Sequence, residues 1–362
     1  MSALYFDYQQ FWTDMRRALG GTDSFHRITW RRVTALLLVG VLVLSGSLTL
    51  RVFWLLDMLL FPRWNRTPVR EAVFVVGNFR SGTTALLRML EQGLHDATAM
   101  RTWEIYLGTT ISQRRFWEGM AVLDGALGGS GKRIIQRLND ALRKVPYHPI
   151  DLFSAEEDAG VLLYAWSGIF TWFVSPPATR VPEVAVLDNL PSYRRRRTMQ
   201  FYRAVVQKHL YAQYRRRPSR SPVFLSKNPA FTGAISALRE TFPDVRVVTI
   251  TRERHATIAS GSRWFGVWFA LLGATGRSHV PLKVVHDLVD RWYEHPRQRS
   301  VAEVKHQELI HDPRRQLQRL ARILGRPELN RSTNQFRALQ ALQRDHGSST
   351  GRAPHVALRS VS

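Results

Sequence analysis

A short segment with two glycines, residues 77–84, is the strongest sign of chemistry in the 362-residue sequence. It reads GNFRSGTT, and Gly77 and Gly82 have the GxxxxG spacing of a loop that turns backbone N–H groups towards a phosphate. The apolar run Ala72–Val76 before it predicts a buried strand, and residues 83–92 after it predict a helix. The segment therefore predicts a phosphate-binding loop between a strand and a helix.

One position in this loop differs from the pattern of nucleoside triphosphatases. Those enzymes place a lysine directly after the second glycine, where it reaches the β- and γ-phosphates, and this sequence has Thr83 there. The sequence also shows no apolar strand ending in an aspartate that could hold magnesium. We expect the loop to bind a phosphate group without an ATP-hydrolysing centre. A P-loop-like phosphotransferase or NTPase is the alternative enzyme.

The segment FRSGTTALLRML, residues 79–90, resembles the 5′-phosphosulfate-binding loop of sulfotransferases that use 3′-phosphoadenosine-5′-phosphosulfate (PAPS). It looks closest to the branch that includes tyrosylprotein sulfotransferases and many bacterial enzymes. The resemblance covers roughly residues 70–330. It implies that five consecutive residues wrap the 5′-phosphate and the sulfonate: Arg80, Ser81, Gly82, Thr83 and Thr84.

PAPS carries a second phosphate on its 3′-oxygen and therefore needs a second anion site. The family builds this site from an arginine at a strand end and a serine eight residues later. Here Arg252 follows the strand-like run VRVVTIT, and Ser260 lies eight residues further on. Ligands of open α/β sheets lie beyond the carboxyl ends of the strands, which agrees with this placement. The resemblance also implies that Lys227, after a short strand at 223–225, contacts the sulfonate or the bridging oxygen.

The acceptor must lose a proton as it attacks sulfur, so a carboxylate or histidine should lie nearby. Glu104 stands where this branch commonly has a Trp-Glu pair, and the resemblance implies that it is the base. The structural alternative is a salt bridge from Glu104 to Arg101 or Arg80. The acidic run SAEED is a rival on the acceptor side, although Ser154 and Glu157 have the spacing of a helix capping box.

By resemblance, three side chains therefore act in the transfer. Glu104 accepts the proton, while Arg80 and Lys227 neutralise charge on the departing phosphate, with donor and acceptor held in line. The resemblance also implies PAPS as co-substrate. The sequence has no cysteine and only scattered histidines, so we expect no metal. The acceptor, a hydroxyl or an amine, is left open, with a lipid or a glycan among the candidate classes.

Strand-like and helix-like segments alternate from residue 70 onward, which predicts an α/β fold. We expect a three-layer P-loop-like domain with a central parallel sheet, preceded by an N-terminal hydrophobic membrane-associated helical segment. Residues 70–330 are assigned to the sulfotransferase domain and 331–362 to a polar C-terminal tail. One helix is predicted over 232–242, with Thr232 as its N-cap.

Residues 1–69 are the predicted membrane-associated region, built on the hydrophobic stretch 33–61. Its first part, 33–50, has no charged residue and reaches the lower length limit of a transmembrane helix. Arg51 and Asp57 interrupt the rest, so we expect an embedded segment 33–50 and an interfacial segment 52–61. The arrangement is single-pass or monotopic, with the catalytic domain expected on the cytosolic side. A buried core helix is the alternative.

The net charge of +24 predicts attraction to polyanions. Residues 189–239 contain 12 Lys and Arg and no acidic residue. No RNP, helix-turn-helix or zinc-finger pattern accompanies them, and we expect no nucleic-acid partner. A lipid-facing helix, a solvated face and a site for an acidic acceptor stay open for this stretch. A non-catalytic membrane-associated anion-binding protein is the second alternative to the enzyme.

Overall fold

A parallel sheet with strand order β2-β3-β1-β4-β5 lies at the centre of the chain in a computed structural model. The structure describes residues 5–19, 29–145, 149–174, 181–216, 222–271, 280–295 and 300–330, so the tail predicted at 331–362 lies outside the described residues. The strands are β1 (Ala72–Val76), β2 (Ala97–Thr98), β3 (Val223–Lys227), β4 (Val245–Thr251) and β5 (Ala302–Lys305). The α/β fold with a central parallel sheet is therefore confirmed.

Helices cover both faces of this sheet. In chain order they are α1 (Tyr8–Leu19), α2 (Trp30–Leu60), α3 (Thr83–Gly93), α4 (Thr102–Tyr106), α5 (Ile111–Ala126), α6 (Ser130–Leu142), α7 (Thr171–Val174), α8 (Ser192–Arg216), α9 (Ile235–Thr241), α10 (Arg254–Leu271), α11 (Val280–Glu294), α12 (His306–His311) and α13 (Pro313–Ile323). Short 3-10 helices join several of them.

The central strand β1 is buried on both faces, as a continuous apolar run predicts. Val73 and Val75 pack with α3 and α13 on one face. Phe74 and Val76 pack on the other face, in the core formed with α8, α9 and α11. The sequence predicted β1 and β4 with these bounds: β1 is an unbroken apolar run, and β4 is rich in valine, isoleucine and threonine, which favour strands.

The N-terminal hydrophobic stretch is one continuous helix, α2, and the helix does not break at Arg51. The Arg51 guanidinium turns inward and donates to the main-chain oxygens of Ser47 at 2.7 Å and Tyr5 at 3.2 Å. A charge that is bonded in this way does not have to end the helix. Among the described residues, one helix, Val33–Leu60, is long and apolar enough to cross a membrane.

A buried ion pair fastens the end of α2 to the sheet domain. Asp57 lies 2.6 Å from Lys208 of α8, and both side chains are fully buried. Asp57 also accepts hydrogen bonds from the first amides of α5, at Ile111 and Ser112. The Lys208 ammonium lies over the Trp54 ring as well, 4.3 Å from its centroid. These contacts hold α2, α5 and α8 together.

The stretch of 12 basic residues does not form a single solvated face. Much of it lies in α8, which packs Phe201 and Val205 into the core. Arg194 is buried against Asp7, and Lys208 is buried as described. These inward charges leave only part of the stretch to face solvent.

A second helix prediction is corrected at residues 232–242. A 3-10 helix, Pro229–Ala234, precedes α9, and the helix α9 has no side-chain cap. The Thr232 hydroxyl instead accepts a hydrogen bond from the Gly77 N–H at 2.9 Å. Thr232 is therefore not an N-cap, because its oxygen supports the glycine loop after β1.

Candidate active site

The loop between β1 and α3 follows a path that requires glycine at two positions. Gly77 has a φ of 146°, and a Cβ there would overlap the carbonyl oxygen of Ile250 on β4. Gly82 has a φ of 96°, and its Cβ would lie 2.5 Å from Nδ1 of His306. Between them, Arg80 takes a left-handed φ of 62°. The loop is thus pressed against β4 and α12 while the Arg80 side chain reaches solvent.

Internal contacts hold the loop in this form. Ser81 is fully buried, and its hydroxyl donates to the main-chain oxygen of Asn78 at 2.5 Å. Phe79 packs against Gly261 of α10 and against the rings of Phe265 and Trp292. The Ser81 side chain therefore braces the loop from inside, and its hydroxyl does not point outward to an anion.

The groups that can meet an anion lie at the start of α3. Gly82 is the N-cap without a side-chain cap, and the first turn contains no acidic residue. The first amides of a helix have no partner within it and carry partial positive charge. Thr83 is buried and Thr84 is half-buried, and Arg80 lies exposed in the loop that leads into this first turn. The loop and the start of α3 thus combine a guanidinium with unpaired helix amides.

The predicted second anion site lies directly beside this loop. Arg252 follows β4, the neighbour of β1, and its Nη1 donates to the main-chain oxygen of Arg80 at 2.9 Å. Ser260 of α10 accepts a hydrogen bond from Nε of Arg80 at 3.1 Å. Tyr293 donates to the main-chain oxygen of Arg252 and fixes the start of that turn. The structure thus brings Arg80, Arg252 and Ser260 together at the carboxyl edge of the sheet.

Lys227 ends β3, the neighbour of β1 on the other side. Its Nζ lies 2.5 Å from a carboxylate oxygen of Glu156 and 3.1 Å from one of Glu157. Burial opposes the charged form of Lys227, but the two glutamates outweigh it and raise the pKa of the ammonium. Lys227 is therefore a cation held at the carboxyl edge by two partly exposed carboxylates.

Asp158, which directly follows Glu157 in the chain, carries a buried carboxyl group. Ser226 donates to it at 3.0 Å, and the Asn228 amide donates to the same oxygen. Burial raises the pKa of Asp158 to about 7, although its hydrogen bonds and Lys227 act in the opposite direction. This cluster fixes the residues on either side of Lys227.

Glu104 occupies a different environment on α4. One carboxylate oxygen lies 2.9 Å from Nη1 of Arg114, and the other accepts the Arg101 N–H at 2.9 Å. His209 lies 3.8 Å away. Burial favours the neutral acid, but Arg114 and His209 prevail and lower the pKa of Glu104. Glu104 thus forms a buried ion pair, as the structural alternative supposed, but its partner is Arg114 and not Arg101 or Arg80.

A cavity of about 300 Å³ lies beside Glu104. Asp96 and Pro222, which directly precede β2 and β3, line it together with Thr98. The cavity therefore lies towards the amino ends of these strands, whereas the glycine loop and Lys227 lie at the carboxyl ends.

The capping box considered for Ser154 and Glu157 does not form. The Ser154 hydroxyl donates to Asp151 at 3.0 Å, and Glu157 is itself the N-cap of a 3-10 helix, Asp158–Ala165. Glu156, which the sequence reasoning did not single out, is the nearer partner of Lys227. The only signal for it is its place in a run of three acidic residues.

Residues 72–330 match the sequence profile of the sulfotransferase family. The chain belongs to this family. The match spans the loop, Lys227, Arg252 and Ser260, and it agrees with the resemblance seen in the sequence.

Two solved structures share the fold of this sulfotransferase. The crystal structure of sulfotransferase STF9 from Mycobacterium avium aligns with a TM-score of 0.62 at 15% sequence identity, over 95% of this chain and 88% of that chain. Sulfotransferase STF1 from Mycobacterium tuberculosis H37Rv aligns with a TM-score of 0.52 at 16% identity, over 96% of each chain. No curated protein sequence matches the chain. At these identities the structural likeness shows the fold alone.

Proposed function

We propose that this sulfotransferase transfers the sulfuryl group of PAPS to a hydroxyl or amine acceptor and releases adenosine 3′,5′-bisphosphate. The observation that carries the proposal is the contact of Arg80 with both Arg252 and Ser260. It joins a phosphate loop and a second cationic site along one edge of the sheet. A donor with two separate phosphate groups, as PAPS has, suits such a pair of sites.

The residues at this edge fit the donor in a defined way. The first amides of α3 and the Arg80 side chain suit the 5′-phosphate and sulfonate, because they combine a helix start with a guanidinium. Arg252 and Ser260 suit the 3′-phosphate. Gly77 and Gly82 keep the loop clear of side chains and let the backbone approach the anion.

Lys227 serves the reacting end of the donor in this proposal. PAPS supplies an activated sulfuryl group, and negative charge builds up on the phosphate as that group leaves. A buried ammonium at the end of β3 stabilises this charge more strongly than a solvated one would. Glu156 and Glu157 keep the lysine protonated and in place.

Two sites are candidates for the base that takes the acceptor proton. Glu104, which the family resemblance implies, is buried in its ion pair with Arg114. Glu156 and Glu157 are partly exposed and lie beside Lys227 at the carboxyl edge, which favours them as the acceptor-side carboxylates. A base must come within hydrogen-bond reach of the proton it removes. We therefore propose the pair Glu156 and Glu157 as a second candidate for the base, in addition to Glu104. Substitutions at the two sites distinguish the candidates.

Labelled PAPS tests the reaction itself. Purified protein in detergent is incubated with labelled PAPS and a membrane extract, and labelled product and adenosine 3′,5′-bisphosphate are measured. Arg80→Ala should lose most of the transfer, whereas Arg88→Ala, an exposed arginine of α3, removes the same charge and should keep it. Full activity of the Arg80→Ala protein would remove the loop from the mechanism. Magnesium-dependent ATP hydrolysis without use of PAPS would favour the P-loop-like alternative.

Membrane attachment is the second part of the proposal. The apolar window of α2 is only 17% buried, which is unlike the core helix of a soluble domain. The 3-10 helix Asp158–Ala165, which follows the acidic pair, packs against α2: the Ser47 hydroxyl donates to the main-chain oxygen of Tyr164 at 2.7 Å. The acceptor side of the site is thus joined to the apolar helix, which favours a lipid or a membrane-borne glycan as acceptor.

A further inference from the structure

The helix α2 shows two unlike faces along most of its length. A stripe at a spacing of three and four residues is buried against the domain: Val43, Ser47, Leu50, Trp54 and Asp57. Many large aliphatic side chains on the remaining surface are at least half exposed, among them Leu38, Leu42, Leu48, Val52, Leu55 and Leu59. At 3.6 residues per turn, these side chains cover roughly half of the helix circumference.

The α5–α6 hairpin continues this apolar surface. The first turn of α5 contacts Asp57 near the end of α2, and α5 then runs back along α2. The Phe116 ring of α5 lies 6.0 Å from the Phe53 ring of α2. In α6, Ile134, Ile135 and Leu138 share one face, and all three are exposed. Lys132, Arg133 and Gln136 occupy the other face, so α6 is amphipathic with an unburied apolar side.

The segment that precedes α2 is docked on the same domain as the segment that follows it. Asp7 forms a buried ion pair with Arg194 of α8 at 2.8 Å, and the Tyr5 hydroxyl lies 3.0 Å from that of Thr198. In α1, Asp14 accepts the indole N–H of Trp166 at 3.0 Å. A helix that crossed a bilayer would separate these partners by about 30 Å.

We propose that α2 does not cross the membrane, and that the exposed faces of α2, α5 and α6 together rest in one leaflet of a lipid bilayer. The proposal deepens the membrane attachment proposed above and rests on it. The catalytic domain, the docked segment 5–19 and both ends of α2 then lie on one side. The domain itself takes the place of the polar face that an in-plane helix normally has.

Lipid fits this surface better than a second copy of the chain. A helix partner covers one stripe of a neighbouring helix, whereas the exposed aliphatic residues of α2 extend over roughly half of its circumference. A bilayer covers all of them at once. Exposed cations flank the surface, at Arg63 and Arg66 after α2 and at Lys132 and Arg133 of α6. They suit the anionic headgroups beside an embedded helix.

The natural absence of cysteine allows a direct test of sidedness. Arg16→Cys in α1 and Gln92→Cys in α3 each place one thiol at an exposed position, before and after α2. Sealed vesicles from producing cells are treated with a membrane-impermeant maleimide, with and without permeabilisation. We expect both thiols to give the same protection pattern. Labelling of one from outside and of the other only after permeabilisation would show a spanning helix and overturn the proposal.

Vesicle flotation tests the surface itself. Purified protein is mixed with vesicles of phosphatidylcholine and phosphatidylglycerol, and the bound fraction is measured. Leu138→Glu places a charge on the apolar face of α6, and Gln136→Glu adds the same charge on its polar face. We expect Leu138→Glu to bind roughly tenfold or more weakly than Gln136→Glu, since only Leu138→Glu removes the burial of a leucine while both add the same charge. Equal binding of the two variants, or a dimer that does not bind vesicles, would contradict the proposal.

A separate measurement keeps this inference apart from the proposed reaction. Adenosine 3′,5′-bisphosphate binding is followed with both α6 variants in detergent, where neither change touches the anion sites. Unchanged nucleotide affinity with lost flotation supports the membrane surface. Failure of every protein to bind the nucleotide would overturn the proposed donor and leave the flotation result valid.

Discussion

The ammonium of Lys227 lies 2.5 Å from the carboxylate of Glu156, at the carboxyl end of β3. Glu157 adds a second carboxylate 3.1 Å away. Lys227 and its two carboxylate partners therefore lie one strand away from the glycine loop, because β3 pairs directly with β1. Along the carboxyl edge of the sheet, the glycine loop is followed by the lysine and then by its two carboxylate partners.

Substitution of the carboxylates should identify the base. We expect Glu156→Gln, Glu157→Gln or both to lower kcat roughly 10²-fold or more, as loss of a general base does, while nucleotide affinity stays within a few-fold. Glu104→Gln should act on stability, because it leaves Arg114 buried without its charge partner, a loss of roughly 3–5 kcal/mol. The measurements are kcat against pH and thermal unfolding.

The opposite pattern would return the role to Glu104. A Glu104→Gln protein that unfolds normally, but loses 10²–10⁴ in kcat together with the acidic limb of its pH profile, would identify Glu104 as the base. The acidic pair would then act only to hold Lys227.

Removal of the second anion site should weaken nucleotide binding. Arg252→Ala deletes a guanidinium that suits the 3′-phosphate, and hydrogen bonds to charged groups contribute roughly 1.5–3 kcal/mol each. We expect the Kd for adenosine 3′,5′-bisphosphate to rise by about 10- to 150-fold. Adenosine 5′-monophosphate, which lacks the 3′-phosphate, should be affected far less. Equal losses for both nucleotides, measured by calorimetry, would speak against this assignment.

Much of this edge could be predicted from sequence because its signals are local. Strand β1, the loop and helix α3 follow one another without interruption, and Arg252 directly follows β4. The order of these segments, together with the family resemblance, predicted that Arg252 would lie near Arg80. Their direct hydrogen bond depends on the pairing of β1 with β4, which no local pattern specifies.

Other features could not be predicted because they depend on distant partners. Arg51 looks like a break in an apolar helix until its partner, the main-chain oxygen of Tyr5, is known. Asp57 meets Lys208 across 151 residues of chain, and Thr232 meets Gly77 across 155. In each case a polar residue that locally suggests an end or a cap is used in tertiary packing.

A glycine in the phosphate loop and a glycine inside a helix should respond in opposite ways to substitution by alanine. Gly77→Ala sets a methyl group against the Ile250 main chain at a φ that side chains rarely adopt. We expect this substitution to abolish nucleotide binding and to lower the free energy of unfolding by several kcal/mol. Gly119→Ala lies inside α5 with nothing within 4 Å, and should stabilise the protein by up to about 1 kcal/mol. Chemical denaturation of both variants checks the contrast, which a neutral Gly77→Ala would disprove.

The Asp57–Lys208 pair should behave as one unit. Asp57→Ala leaves a buried ammonium unpaired and uncaps α5, so we expect a loss of about 3–5 kcal/mol. In the Asp57→Ala background, Lys208→Met should restore part of that loss, because the uncompensated charge is gone. Urea unfolding in detergent measures the double-mutant cycle. Strict additivity of the two substitutions would mean that the pair has no coupling energy.

Asp158 should make stability fall as pH rises. Burial raises the pKa of this carboxyl from 3.8 to about 7 in the folded state, so the folded protein holds a proton that the unfolded chain releases near pH 4. The unfolded state binds fewer protons between these two values, and the free energy of unfolding therefore decreases from about pH 4 to pH 7. A tenfold change in an acid dissociation constant corresponds to about 1.4 kcal/mol, so this contribution is on the order of 4 kcal/mol.

Asparagine at position 158 resembles the protonated acid and can accept the same bonds from Ser226 and Asn228. We expect Asp158→Asn to gain stability relative to the unmodified protein as pH rises from 4 to 7, and the difference to level off above 7. Asp140→Asn, at an exposed carboxylate of α6, is the control for the same chemical change. Unfolding of all three proteins is followed across this pH range. A carboxylate that is already ionised in the folded protein would leave the stability difference nearly constant above about pH 5, and that result would contradict the prediction.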